Sequence, residues 1–125
     1  MILDTNALSA IADGEEKAVR IFNAAEMAAI PVVALGEFRY GIRLSRRRQD
    51  YELWLSESLR ICPVLDVSDQ TAGYYADLRI ELRRAGTPIP SNDVWIAALA
   101  RQHSFSVLSR DRHFDVVSGI RRVGW

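Results

Sequence analysis

The sequence predicts an α/β fold: a central, mainly parallel sheet of four to five strands with helices on both faces, in one three-layer domain spanning residues 1–125. Three observations predict it. Short apolar runs alternate with longer segments of helical periodicity, the pattern of strands joined by crossover helices. The segment 93–103 is apolar nearly all round, as a helix buried at the centre of such a fold must be. Junctions built from Asp, Asn, Ser and Thr follow the apolar runs, and these residue types favour helix N-termini.

The elements can be justified in order. Ile2-Leu3 is a short apolar start, cut off by Asp4-Thr5-Asn6, which favours a helix N-terminus. Residues 15–26 carry helical periodicity, with Ala18, Val19, Phe22 and Ala25 near one face. The run from Met27 to Val33 reads as a strand ending near Pro31, followed by helices over about 34–47 and about 49–59. Ile61 to Val67 reads as a strand that Pro63 confines to an edge. Ser68 or Asp69 caps the next helix, and Gly86 with Pro88 stops it, leaving Ala72, Tyr75, Ala76, Leu78 and Leu82 as its buried side. Ser91-Asn92 opens the apolar helix from Asp93 to about His103. Phe105 to Leu108 is a strand, and Arg121 to Trp125 supplies a last short one.

A chain of 125 residues is long enough to bury a core without disulfide or zinc staples. Cys62 is the only cysteine, which excludes intramolecular disulfides and cysteine-based zinc sites. The apolar runs are interrupted by charge or proline too soon to span a bilayer, and Met1-Ile2-Leu3-Asp4 lacks the basic and apolar segments of a signal peptide. A cytoplasmic location is the expectation. Net charge is zero, so no general attraction draws the chain to polyanions. Arg supplies nearly all the positive charge, with Lys17 the single lysine, and a local Arg patch beside an acidic pocket remains able to bind one.

Four acids stand out. Asp4 and Asp111 fall at or just beyond the carboxyl ends of predicted strands, where ligands bind in open parallel sheets. Asp93 lies in the first turn of the buried helix, whose positive end would point at the same place. Glu37 lies about two turns into the helix after the second strand. Each has an ordinary explanation by itself: Asp4 and Asp93 as helix caps, Asp111 as a turn residue, Glu37 as a solvated helix residue. The joint pattern is different, because four carboxylates at one sheet edge repel one another unless a cation offsets them. Oxygen ligands without His or Cys suit Mg²⁺ or Mn²⁺ rather than Zn²⁺. Such an ion promotes hydrolysis of phosphodiesters by in-line displacement.

Four segments carry a resemblance over essentially the whole chain: Leu3-Asp4-Thr5-Asn6, Gly36-Glu37-Phe38-Arg39-Tyr40-Gly41, Asn92-Asp93-Val94-Trp95-Ile96-Ala97-Ala98 and Leu108-Ser109-Arg110-Asp111-Arg112-His113-Phe114. In this order and spacing they resemble the PIN-domain ribonucleases, and among them the VapC-type toxins of bacterial toxin–antitoxin pairs. The resemblance implies a PIN-like fold and metal-dependent cleavage of RNA. It implies that Asp4, Glu37, Asp93 and Asp111 form the acidic site, with Asn6 and Ser109 shaping it through hydrogen bonds. It also implies a homodimer and a small cognate antitoxin that lies across the groove and inserts a basic side chain among the acids. The fourth acid varies among relatives, so Asp115 stands as a substitute or assistant for Asp111.

Arg110 and Arg112 flank Asp111 and are placed for RNA backbone contacts. Arg39, Arg43 and Arg46 share a helix face that points away from Glu37, at about 100° per residue. His103 reads as structural, and His113 as near the site but unnecessary to a metal-hydroxide mechanism. Tyr40, Trp54 and Trp95 read as core or interface. Two other functions fit an acidic pocket. A phosphoacceptor domain needs a late Lys beside it, and the only Lys is the early Lys17. A non-catalytic binding module would keep the pocket for the antitoxin or RNA alone.

Overall fold

The chain begins in the middle of its sheet. In the computed structural model, which describes residues 1–125, β1 (Ile2–Leu3) is fully buried and pairs in parallel with β4 (Val107–Leu108). On its far side β4 pairs in parallel with β5 (Arg122–Val123). On the other flank of β1, a parallel bridge from Ile2 to Ala29 joins β2 (Ile30–Pro31), which pairs in parallel with β3 (Val64–Leu65). Hydrogen bonds from Leu3 N–H to the Ala29 carbonyl and from Ala29 N–H to the Met1 carbonyl, each 3.0 Å, make the join continuous. The strand order is therefore β3-β2-β1-β4-β5, with every pairing parallel. That is the expected three-layer α/β/α arrangement with five strands. The order reverses between β1 and β4, and the crevice beyond their carboxyl ends is where such a sheet binds ligands.

Six helices cover the sheet: α1 (Thr5–Ala12), α2 (Glu16–Ala24), α3 (Val32–Leu44), α4 (Arg48–Ser58), α5 (Asp69–Arg84) and α6 (Ser91–His103). The helix α6 is the central one: Val94 and Ile96 to Ala100 are all buried, as its all-round apolarity requires. Its neighbour α5 is capped by Ser68, whose hydroxyl and backbone exchange hydrogen bonds with Thr71, and Gly86 ends it at φ 71°. A positive φ costs glycine little, which is why this residue stops the helix.

Several expectations need correction. The first helix was legible only as a cap, yet α1 runs two turns and buries Ala7, Leu8, Ala10 and Ile11. The strands are two residues long, shorter than the apolar runs containing them. β2 ends at Pro31 as expected, but α3 opens at Val32, two residues earlier than the expected start, because Pro31 is already its N-cap. The buried line of α5 is Thr71, Leu78 and Leu82 with Tyr75 partly buried, whereas Ala72 and Ala76 face solvent. Thr71 is tolerated there because its hydroxyl donates to Gln102 Oε1 at 2.6 Å across the α5–α6 contact. No helix is long and apolar enough to cross a membrane.

Candidate metal centre

Asp4 follows β1 immediately and caps α1. Its Oδ1 accepts the Ala7 N–H at 2.8 Å, so the ordinary capping role is real. Its Oδ2 accepts from the hydroxyl of Ser109, the residue that follows β4. Both residues are buried, and both lie at the point where strand order reverses. The Ser109 hydroxyl also accepts the Asp111 N–H at 2.8 Å. One buried hydroxyl thus ties the first acid to the backbone of the fourth.

Asp111 caps a 3₁₀ helix at Arg112–Val116, its Oδ1 accepting the His113 N–H at 2.9 Å. Phe114, one residue further, is 1 % exposed and anchors this segment in the core. Asp93 sits in the first turn of α6, where Pro90 is the N-cap and no side chain caps the helix. Its carboxylate is therefore not used for capping, and it reaches His113 Nδ1 at 3.0 Å. The same nitrogen is 3.0 Å from Asp111 Oδ2. Glu37 approaches from the second turn of α3 and is exposed. Asp4, Glu37, Asp93, Asp111 and His113 line one cavity of about 480 Å³, with Asn6 at its rim.

Burial pushes the Asp4 carboxyl up to about 6, against the pull of its bonds to Ser109 and Ala7, and the charges of Asp93 and Asp111 push it the same way. Burial also raises Asp93; the His113 hydrogen bond opposes that, and the Asp111 charge adds to it. Burial first, and the neighbouring carboxylates second, therefore make ionisation of Asp4 and Asp93 costly, and a cation would relieve that cost. Carboxylate oxygens suit a hard divalent ion. Asp93 and Asp111 bring theirs within 4.8 Å of each other and of His113, whereas Asp4 and Glu37 line the same cavity outside that group. The Thr5 hydroxyl, also on the cavity wall, is buried without a partner.

Other expected residues go elsewhere. Asp115 is held by Arg122, whose Nε and Nη2 donate to its two oxygens at 2.7 and 3.1 Å, and it does not line the cavity. Arg110 turns away to pair with Glu15, with its guanidinium 4.9 Å from the Trp125 ring centre. Arg112 is exposed and also off the cavity wall. Arg39 faces Glu52 of α4 at 4.0 Å and its carbonyl accepts from Arg43 Nη1 at 3.2 Å, but α3 ends at Leu44, so Arg46 falls in the turn beyond it and the expected three-residue stripe on one helix does not form. Trp54 packs edge-on to Phe38 at 5.6 Å, and Trp95 stacks on Tyr75 at 3.9 Å. His103 ends α6, exposed and stacked on Phe105, and does not line the cavity. The residue underestimated from sequence is His113. Its signal was the Asp-x-His spacing at a capping Asp, which brings both side chains to the same side of one turn.

The chain matches the model of the PIN domain over residues 1–120. It belongs to the PIN-domain family. It is 31 % identical over 125 residues to the ribonuclease VapC5 of Mycobacterium tuberculosis, covering 98 % of this chain and 90 % of that one. Among solved structures it is similar to the DNA-bound VapBC of Salmonella typhimurium, with a TM-score of 0.86, 29 % identity and coverage of 99 % and 96 % of the two chains. It is also similar to VapBC-5 of Mycobacterium tuberculosis, described as a member of the VapBC family of toxin–antitoxin systems, with a TM-score of 0.70, 27 % identity and coverage of 98 % and 94 %. In this PIN-domain chain the acids converge at the reversal point between β1 and β4, so the fold and the cavity locate the same place.

Proposed function

We propose that this chain is a Mg²⁺- or Mn²⁺-dependent endoribonuclease, acting as the toxin of a toxin–antitoxin pair. The observation that carries the reading is the convergence of Asp4, Glu37, Asp93 and Asp111 on one cavity of a PIN fold. The ribonuclease name of its relative and the toxin–antitoxin description of a structural neighbour support it.

Asp4, Glu37, Asp93 and Asp111 would hold the ion. When bound, the ion supplies charge to offset the phosphodiester oxygens and lowers the pKa of water. The chain's own residues orient and exclude. Ser109 fixes the direction of the Asp4 carboxylate through one hydrogen bond and the Asp111 backbone through another. The N-terminus of α6, with Ser91 and Asn92 on the cavity wall, presents free backbone N–H groups and a partial positive charge to an RNA phosphate. The exposed Arg112 beside Asp111 is the better candidate for backbone contacts, since Arg110 is engaged by Glu15.

A small cognate antitoxin would neutralise the enzyme by placing a basic side chain among these acids. A second cavity of about 260 Å³ supports this: Thr5 and Glu37 line it as well, and it leads along α1 and α3 past Ser9 and Gly41. The phosphoacceptor alternative loses further ground, because Lys17 is exposed on α2 and absent from the cavity wall.

The test is replacement of Asp93 by Ala. RNA cleavage and growth inhibition should both be lost while the circular dichroism spectrum stays that of the parent. Undiminished cleavage by the purified variant would defeat the proposal.

A further inference from the structure

We infer that His113 is itself a ligand of the ion, binding through Nδ1 beside Asp93 and Asp111, and that it biases the centre toward Mn²⁺ over Mg²⁺. The inference rests on the metal-dependent reading above and goes beyond its all-carboxylate ligand set.

The geometry carries it. His113 Nδ1 lies 3.0 Å from Asp93 Oδ2 and 3.0 Å from Asp111 Oδ2. The donor atoms of the three residues all fall within 4.8 Å of one another. An octahedral ion with bonds of about 2.1 Å has neighbouring ligand atoms about 3.0 Å apart. The two nitrogen–oxygen separations therefore match two edges of one coordination octahedron.

The arrangement is also built rather than incidental. His113 and Asp111 are fixed relative to each other by the hydrogen bond from the His113 N–H to Asp111 Oδ1 at 2.9 Å. The buried Phe114 next to them holds the segment against the core. Asp93 comes from a different element, the first turn of the most buried helix. Three donors on two rigid supports thus converge on one point.

The chemical consequence follows from ligand type. Mg²⁺ is held by oxygen, whereas imidazole suits transition ions and binds them more strongly along the first row. A nitrogen in the ligand set thus strengthens the hold on Mn²⁺ relative to Mg²⁺. A hydrogen bond from Nδ1 to the two carboxylates would use the same nitrogen position without ligating any ion, so the experiment must see the metal–nitrogen bond directly.

Tag-free full-length protein loaded with Mn²⁺ can be measured by pulsed electron paramagnetic resonance for ¹⁴N coupling to the ion. Coupling from a directly bound imidazole is expected in the parent and in His103→Gln, and is expected to vanish in His113→Gln. By calorimetry, His113→Gln should weaken Mn²⁺ binding by about tenfold or more, and Mg²⁺ binding by less. Bound Mn²⁺ without ¹⁴N coupling in the parent overturns the ligand assignment and leaves the carboxylate centre standing. Coupling that persists in His113→Gln overturns it as well. Failure of the parent to bind Mn²⁺ at all overturns both this inference and the reading beneath it.

Discussion

Replacing Asp4 by Asn should make the metal-free protein more stable at neutral pH while removing its cleavage activity. The folded-state pKa of Asp4 is about 6, against 3.8 for a free side chain. The difference is about two units, or roughly 3 kcal/mol at 1.36 kcal/mol per unit. The sign follows from linkage. The folded chain holds the proton more tightly than the unfolded one, so this contribution is fully present below about pH 4. It is lost as pH rises through about 6. Asn is as good an N-cap as Asp and keeps an oxygen for the Ala7 N–H. The hydrogen bond from Ser109 loses its charged acceptor, which costs about 1 kcal/mol. A gain of about 1–3 kcal/mol at pH 8 therefore remains, and about 4 °C in Tm accompanies each kcal/mol in a chain of this size. The assay is thermal or urea unfolding of both proteins in EDTA at pH 8 and at pH 4, taking only the difference between them. The gain should appear at pH 8 and shrink toward zero at pH 4. Added Mn²⁺ should then stabilise the parent, by about 2.7 kcal/mol at a hundred times its Kd, and the Asn variant much less. An Asn variant no more stable than the parent at pH 8 in EDTA would refute the claim that burial and like charge strain this carboxylate.

Two further outcomes follow from the supports around the acids. Ser109→Ala leaves Asp4 Oδ2 without its donor in a buried setting, so it should cost about 1–3 kcal/mol in urea unfolding. It should also move the Asp4 pKa further above 6, read by NMR titration of the carboxyl carbon. Arg122 joins both oxygens of Asp115 to the Ser109 carbonyl, the latter at 3.1 Å, and so ties the 3₁₀ helix to the end of β4. Arg122→Ala should weaken Mn²⁺ binding by about 10–100-fold in calorimetry with an unchanged circular dichroism spectrum, and Arg122→Lys should recover only part of the loss.

The contrast between Asp111 and Asp115 shows what could be read from sequence and what could not. Elements with strong local patterning were legible: the all-apolar α6, the Ser68 cap and Gly86 stop of α5, and the strand–helix junction holding Asp4. Asp4, Asp93 and Asp111 were legible as candidates because each sits in a junction whose position follows from the order of elements; Glu37, inside α3, stood out only through the resemblance carried by Gly36 to Gly41. What failed depended on partners remote in the chain or on a choice between near-equal faces. The diversion of Arg110 rests on Glu15 and Trp125, 95 residues before it and at the far end of the chain respectively. The removal of Asp115 from the site rests on Arg122 in β5, whose pairing places the guanidinium within reach. On α5, Ala72 and Ala76 read as buried by apolarity, but Thr71 takes the inner face because Gln102 satisfies its hydroxyl. His113 was discounted because a metal mechanism needs no histidine, an argument from chemistry that ignored where the Asp111 cap aims the next turn.

The most direct test of the central claim is cleavage of a single-stranded RNA by the purified, metal-stripped chain, with defined ions added back. The account predicts no cleavage in EDTA, recovery with Mn²⁺ or Mg²⁺, and no recovery with either ion when Asp93 is Ala. Cleavage that continues at the full rate after the metal has been stripped would contradict it.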